Sequence, residues 1–265
     1  MMRGVNRLDR TILTIANSII KALVIVMHPN TMKDNYLDIL IGEKLKAQDE
    51  QERSNRTPSG KLSASMLGWP LQWQILKSFG VPQPQKDEYV LRKFQRGKDV
   101  ENRLVEWMDD MVKETQSFVE YRDTIGYIDA IVDADKWEAY AGYIPFEIKS
   151  VSNMKFKRIE KQGPDRSHNL QAGFYALARG CENYGICYIS TDDYRIETHI
   201  LETKDIALEI NRIITRYEDQ RKTGKVPVFQ AEEKWQDTAE YSSFPEWSKL
   251  TQEEIDEKIT KYINK

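Results

Sequence analysis

The stretch GYIDAIVDAD (residues 126–135), followed by YIPFEIKSV (residues 143–151), decides the fold class. Side chains alternate across a strand, so Gly126, Ile128, Ala130 and Val132 share one small or apolar face, which is expected to meet a core. Asp129 then projects from the other face with Tyr127, Ile131 and Asp133. In the second stretch Ile144, Phe146 and Ile148 form the apolar face, while Glu147 and Lys149 share the opposite one. Two neighbouring strands thus present an Asp, a Glu and a Lys on a common surface.

Working outward, a third strand is expected over 117–122, after a long helix over 86–115. Two more are expected over 184–190 and 194–201, separated by a Thr-Asp-Asp turn. Helices are predicted over 34–52, 63–79 (capped by Ser63), 167–179 (stopped by Gly180) and 204–222. The basic segment NMKFKRIEKQGPDR reads as irregular. This order implies one α/β domain with a central mixed sheet flanked by helices. It gives a helical N-terminal extension (1–60), a core (61–224) and a C-terminal helical clasp (225–265). The apolar run 11–27 is interrupted by Asn17 and Lys21 and is shorter than the ~20 residues a bilayer needs. It reads as an amphipathic or irregular extension, with a targeting segment or a mis-assigned start as alternatives. No membrane association is expected, and a cytoplasmic location is.

Composition narrows the chemistry. With 39 Lys+Arg against 42 Asp+Glu among 265 residues, a generally basic, histone-like binder is excluded, whereas a local basic patch is not. Two cysteines, Cys181 and Cys187, are too few for a disulfide scaffold or a four-thiolate site. His28, His168 and His199 are scattered and form no metal-binding pattern. Any metal must therefore be held mainly by carboxylates.

Two carboxylates such as Asp129 and Glu147 suit Mg²⁺ or Mn²⁺, helped by a main-chain carbonyl such as that of Ile148. The Lys149 ammonium could orient a water and offset charge developing on a phosphate. Taken alone, a Glu-x-Lys tripeptide is equally a charge pair on a solvated strand. Other features add weight. Phe94, Glu101 and Met108 recur every seven residues, placing an acid along an expected apolar stripe. Such an acid is costly there unless paired with Arg103 or Lys98 or bound to a cation. Gln171 and Tyr175 share a helix face at i and i+4, able to hold a phosphate, a base or a catalytic carboxylate. Lys155, Lys157, Arg158 and Lys161, with Phe156 among them, supply the local positive charge a polyanion needs, or a solvated loop.

Taken together, Gly97-x-x-x-Glu101, Gly126-x-x-Asp129, Phe146-Glu147-Ile148-Lys149-Ser150 and Gln171-x-x-x-Tyr175 resemble the PD-(D/E)XK nuclease superfamily, in its RecB-like and CRISPR-associated exonuclease branch. The resemblance covers about residues 60–220 and implies a restriction-endonuclease-like core. It implies Asp129, Glu147 and Lys149 as the catalytic set. One or two Mg²⁺ or Mn²⁺ ions would be held by Glu101, Asp129, Glu147 and the Ile148 carbonyl. Gln171 and Tyr175 would contact substrate, with Lys155, Lys157, Arg158 and Lys161 gripping DNA. Glu101 stands where this branch often has His. Many of these exonucleases carry an iron–sulfur cluster. Here the corresponding segments, 67–70 and 240–247, contain no Cys, so no cluster is expected, and Trp69, Phe244 and Trp247 could form an aromatic clasp instead. There is no G-x-x-x-x-G-K-[ST] loop, so no nucleotide cofactor is expected and any unwinding falls to a partner such as a helicase or recombinase. The expected activity is metal-dependent exonuclease cleavage of single-stranded DNA or duplex ends in phage or bacterial recombination, repair or CRISPR-type processing. A structure-specific endonuclease and a non-catalytic DNA-binding subunit are the alternatives.

Overall fold

The computed structural model describes residues 36–55, 59–136, 140–237 and 243–263. The apolar run 11–27 and residues 240–242 of the clasp segment lie outside them. The chain divides into two units, residues 1–56 and 57–265. In the first, helix α1 (Tyr36–Asn55) buries only Gly42, and Arg53 pairs with Asp49 one turn away (2.9 Å). Among the described residues no helix is long and apolar enough to cross a membrane.

The second unit is built on a six-stranded mixed sheet. Its strands are β1 (Leu62–Ser63), β2 (Val112–Tyr121), β3 (Thr124–Asp133), β4 (Tyr143–Val151), β5 (Asn183–Ser190) and β6 (Ile196–Glu202). β2 runs antiparallel along one edge of β3. The other edge is shared: β1 pairs in parallel with Thr124–Ile125, and β4 pairs antiparallel with 130–133. β4 then leaves β3 after Phe146 and runs parallel to β5, which pairs antiparallel with β6. A window therefore opens along β3 between β1 and β4, and Asp129 stands in it.

Helices α2 (Leu71–Ser78), α3 (Glu88–Met108), α4 (Asn153–Gln162), α5 (Arg166–Arg179), α6 (Thr203–Lys222) and α7 (Gln252–Ile263) complete the unit. The parallel β4–β5 pair needs a crossover, and α4 and α5 supply it. On one face of the sheet, α3 contributes Val100 and Leu104 to a core with Ala130, Val132, Phe146 and Ile148. On the other, α4, α5 and α6 join Ile128, Ile131, Ile186 and Tyr188 in a larger core. That core also takes in Val226, Phe244, Trp247, Ile255 and Ile259 from the C-terminal region.

The sequence pattern and the structure part company at several places. The helix expected over 63–79 is interrupted. Ser63 belongs to β1 and caps nothing, a 3₁₀ turn covers Ala64–Met66, and α2 starts only after Pro70, which has no N–H to continue a helix. The helix expected to reach residue 115 ends at Met108, because Asp109 adopts φ +43° and frees the following residues to pair with β3. The basic segment is not irregular. Phe156 and Ile159, one turn apart, bury a face of α4, Ser152 caps it, and Gly163 (φ +80°) ends it.

A further difference concerns β3 itself. Gly126, Ile128, Ala130 and Val132 do not share one core. Ile128 joins the core of α5, whereas Ala130 and Val132 join that of α3. The exchange falls at Asp129, opposite Gln116, a mid-strand residue with φ +50°. A left-handed residue kinks its strand and turns the local faces, and the paired strand follows.

Of the residues expected to form an aromatic clasp, Phe244 and Trp247 are buried in the larger core and Trp69 packs against it. The ring of Trp69 meets Trp73 edge-on (centroids 5.8 Å apart), and Trp73 stacks on Phe229 (5.5 Å). Buried glutamines tie this region together through main-chain carbonyls. Gln74 Nε2 donates to Met66 and Trp69 (3.0 Å each), Gln72 Nε2 to Pro227 (3.1 Å), and Gln236 Nε2 to Gly68 (2.8 Å).

Candidate active site

The window beside β3 gathers the acidic residues. Asp129 Oδ2 accepts the main-chain N–H of Ile148 (2.9 Å), bridging the strands where their ladder ends. Asp129 Oδ1 accepts from Gln116 Nε2 (3.3 Å). Glu147 lies in the continued register opposite Asp129, is fully buried, and forms an ion pair with Lys149. Neither Glu147 oxygen has a hydrogen bond of normal geometry.

Glu101 enters from α3. Its Oε1 accepts the N–H (3.0 Å) and hydroxyl (2.9 Å) of Ser150, not Arg103 or Lys98; Arg103 pairs with Glu106. The expected apolar stripe through Glu101 is absent: Phe94 is 53% exposed, and α3 buries Leu91, Val100 and Leu104 instead. Gly97 makes the Glu101 contact reachable, since a Cβ there would sit 2.8 Å from Ser150 Oγ. Gly126 has a matching reason. A Cβ on it would lie 2.7 Å from Tyr175 Cε1, so only glycine lets the Tyr175 ring approach β3.

Tyr175 and Gln171 work as a relay on α5. Gln171 Nε2 donates to the Tyr175 hydroxyl (2.8 Å), which leaves the phenolic proton free for Glu147, whose pKa it helps to lower. Burial nevertheless pushes Glu147 up to about 8, with Lys149 opposing and Asp129 adding to the rise. Burial works against charge on Lys149, but Glu147, Asp129 and Glu101 outweigh it and raise its pKa, so the ammonium stays protonated.

The basic residues divide. Asp165 binds Lys155 (2.6 Å) and Arg158, and although burial works against it, these cations hold its pKa below the usual carboxylate range. Lys157 and Lys161 lie on the exposed face of α4. His168, half-buried at the start of α5, shares a hydrogen bond (2.9 Å) with the Tyr188 hydroxyl, which also accepts the Asp165 N–H (3.2 Å). Burial first, then the nearby Lys149 and Lys155 charges, lower its pKa to about 3.

Among the described residues no three carboxylate, imidazole or thiolate side chains already converge as a metal centre. The donor set nonetheless fits a hard divalent cation. Two acidic side chains face each other across the window, and the fully buried one has oxygens with no regular donor. Cys187 is buried and Cys181 half-buried, and both thiols are free.

No family model matches the chain, and no curated protein matches it in sequence. Solved structures do match in fold. The alkaline exonuclease LHK-Exo from Laribacter hongkongensis aligns with a TM-score of 0.44 and 16% identity, over 63% of this chain and 95% of that one. The protein SSO0001 gives 0.48 and 17%, over 82% and 98%. A phage-related exonuclease from Haemophilus somnus 129PT gives 0.40 and 15%, over 62% and 96%. These are likenesses of chain fold at low identity, and the chemistry of the site rests on its own residues.

Sequence reasoning missed Gln116, Ser150 as the anchor of Glu101, and His168. Gln116 carries no signal in a strand of mixed polarity. Ser150 could have been found from Gly97-x-x-x-Glu101, a glycine one turn before an acid that marks close approach to another strand.

Proposed function

We propose that the protein is a divalent-metal-dependent DNA nuclease that hydrolyses phosphodiester bonds, acting as an exonuclease in phage or bacterial recombination, repair or CRISPR-type processing. The observation that carries this reading is Glu147: a fully buried carboxylate, short of hydrogen bonds, between Asp129 and a protonated Lys149. Glu101, Asp129, Glu147 and the Ile148 carbonyl would hold one or two Mg²⁺ or Mn²⁺ ions. Bound there, the cation would supply Lewis-acid stabilisation of charge on the phosphate.

The chain's own groups do the rest. The N–H of Ile148 fixes one oxygen of Asp129, and Gln116 steadies the other. Tyr175, oriented by Gln171, works against burial to lower the pKa of Glu147. Lys149 is kept charged, so it orients the attacking water and offsets phosphate charge and does not take up a proton. Attack in line with the scissile bond forms one P–O bond and breaks the bond to the leaving sugar oxygen, the attacking water giving its proton to solvent and the sugar oxygen taking one up from solvent. Lys157 and Lys161 are placed to grip the backbone; Lys155 and Arg158 reach it only by giving up part of their hold on Asp165. No iron–sulfur cluster or nucleotide takes part.

A non-catalytic DNA-binding subunit is favoured by one observation, the absence of a preformed three-ligand centre among the described residues. The deciding test is degradation of end-labelled linear DNA with Mg²⁺ or Mn²⁺. Cleavage that EDTA stops and that Asp129→Ala and Lys149→Ala abolish supports the nuclease; undiminished cleavage in either variant refutes the assignment. Cleavage of covalently closed circular DNA would make it an endonuclease.

A further inference from the structure

Phe118 and Tyr127 face each other across β2 and β3 as register partners, with ring centroids 5.4 Å apart at 60°. Such a pair can simply brace a sheet. Here both rings are half bare, 52% and 54% exposed. Tyr127 also borders a cleft of about 200 Å³ lined by Ser63, Ser65, Gly126, Gln171 and Tyr175. Tyr127 and Phe118 lie two residues along β3 and β2 from Asp129 and Gln116, whose side chains are hydrogen-bonded (3.3 Å), so the aromatic pair stands beside the candidate active site.

What the rings can hold is limited by their size. Two half-exposed rings offer on the order of 200 Å², far below the ~800 Å² per partner of a stable protein interface. Their β2 neighbours Gln116 and Glu120 are polar, so the patch does not extend. One or two flat, partly polar ligands fit it, and a π face next to a phosphodiester site points to nucleobases.

We propose that Phe118 and Tyr127 form a stacking platform for one or two unpaired bases of the DNA strand whose backbone enters the cleft. This rests on the nuclease reading for the identity of the polymer. It makes the preferred substrate a single strand or a frayed end, because bases inside an intact duplex have no free face to stack.

The test uses the full chain in EDTA, where nothing is cleaved. Short single-stranded DNA oligonucleotides carry one abasic site moved along the strand, and binding is read by fluorescence anisotropy. An abasic site at one or two adjacent positions is expected to weaken binding about tenfold, and elsewhere to have little effect. Phe118→Leu and Tyr127→Leu, which keep apolar cover on the sheet, are expected to weaken the intact strand by a similar factor. They should add less than about twofold to a strand already lacking that base, and Tyr127→Phe should bind like the unmodified protein. No binding, an abasic cost that is zero or the same everywhere, or equal loss on intact and abasic strands overturns the platform. Mg²⁺-dependent cleavage, measured separately, distinguishes the two readings. Cleavage with a flat abasic profile removes only the platform, whereas position-dependent binding without cleavage under Mg²⁺ or Mn²⁺ removes only the nuclease.

Discussion

Glu147 and Asp165 are carboxylates in one domain, each beside cationic side chains, and the fold treats them in opposite ways. Asp165 is gripped by Lys155 and Arg158 and stays ionised. Glu147 is fully buried, has one ammonium, and faces a second acid, Asp129. Asp165 has all the positive charge it needs and ties α4 to the start of α5. Glu147 has less than its burial demands, and a divalent cation would supply the difference. A buried acid is a structural clamp where its partners are complete and a candidate site where they are not.

Substitutions should separate the two regions. The largest effect is expected at the active side: Lys149→Ala or Asp129→Ala lowers Mg²⁺-dependent cleavage by at least ~10²–10³-fold. End-labelled DNA degradation measures this, and the fold should survive, as judged by circular dichroism. Next, Asp165→Asn should cost ~1–3 kcal/mol in denaturant melts, discounted because Lys155 and Arg158 are partly exposed, and leave Mn²⁺ affinity unchanged. A fall in Mn²⁺ affinity there would erase the distinction.

A pH effect follows from His168. Its pKa is depressed from 6.5 to about 3, so the unfolded chain binds the extra proton first. Its contribution to stability is therefore complete above pH ~6.5 and is lost as pH falls toward 3, at up to ~1.4 kcal/mol per pH unit. Glu147, raised above its ordinary value, contributes with the opposite sign, so the comparison must be differential. Between pH 7.5 and 5, the wild type should lose more stability than His168→Asn in paired urea melts; equal losses would remove His168 as the cause. The smallest effect is expected at Gln116→Gly. Relief of the left-handed backbone should raise stability by up to ~1 kcal/mol, while cleavage falls several-fold as Asp129 loses a donor. A destabilised variant would show that the kink is not strained.

The acidic set was legible because its signals are local. Period-two alternation put Glu147 and Lys149 on one face of β4, and i, i+4 spacing put Gln171 beside Tyr175. Errors arose where distant contacts decide. The exchange of faces at Asp129 depends on the left-handed Gln116 in a different strand, and nothing in GYIDAIVDAD reveals it. Charge hid α4, whose helical signal is only Phe156 and Ile159. The seven-residue recurrence of Phe94, Glu101 and Met108 suggested an apolar stripe, but β4 meets the neighbouring one through Val100 and Leu104. Glu101 reaches the site region by its contact with Ser150, which only the packing of α3 on β4 could show.

The most direct test of the central claim is calorimetric titration of the full chain with Mn²⁺ at several pH values, alongside Glu147→Gln. Proton and cation compete for a carboxylate whose pKa burial pushes up to about 8. The wild type should therefore bind one or two Mn²⁺ ions with affinity that tightens as pH rises toward 8 and then levels, and Glu147→Gln should lose most of that binding. Failure of the wild type to bind Mn²⁺, or unchanged binding in Glu147→Gln, would contradict the account.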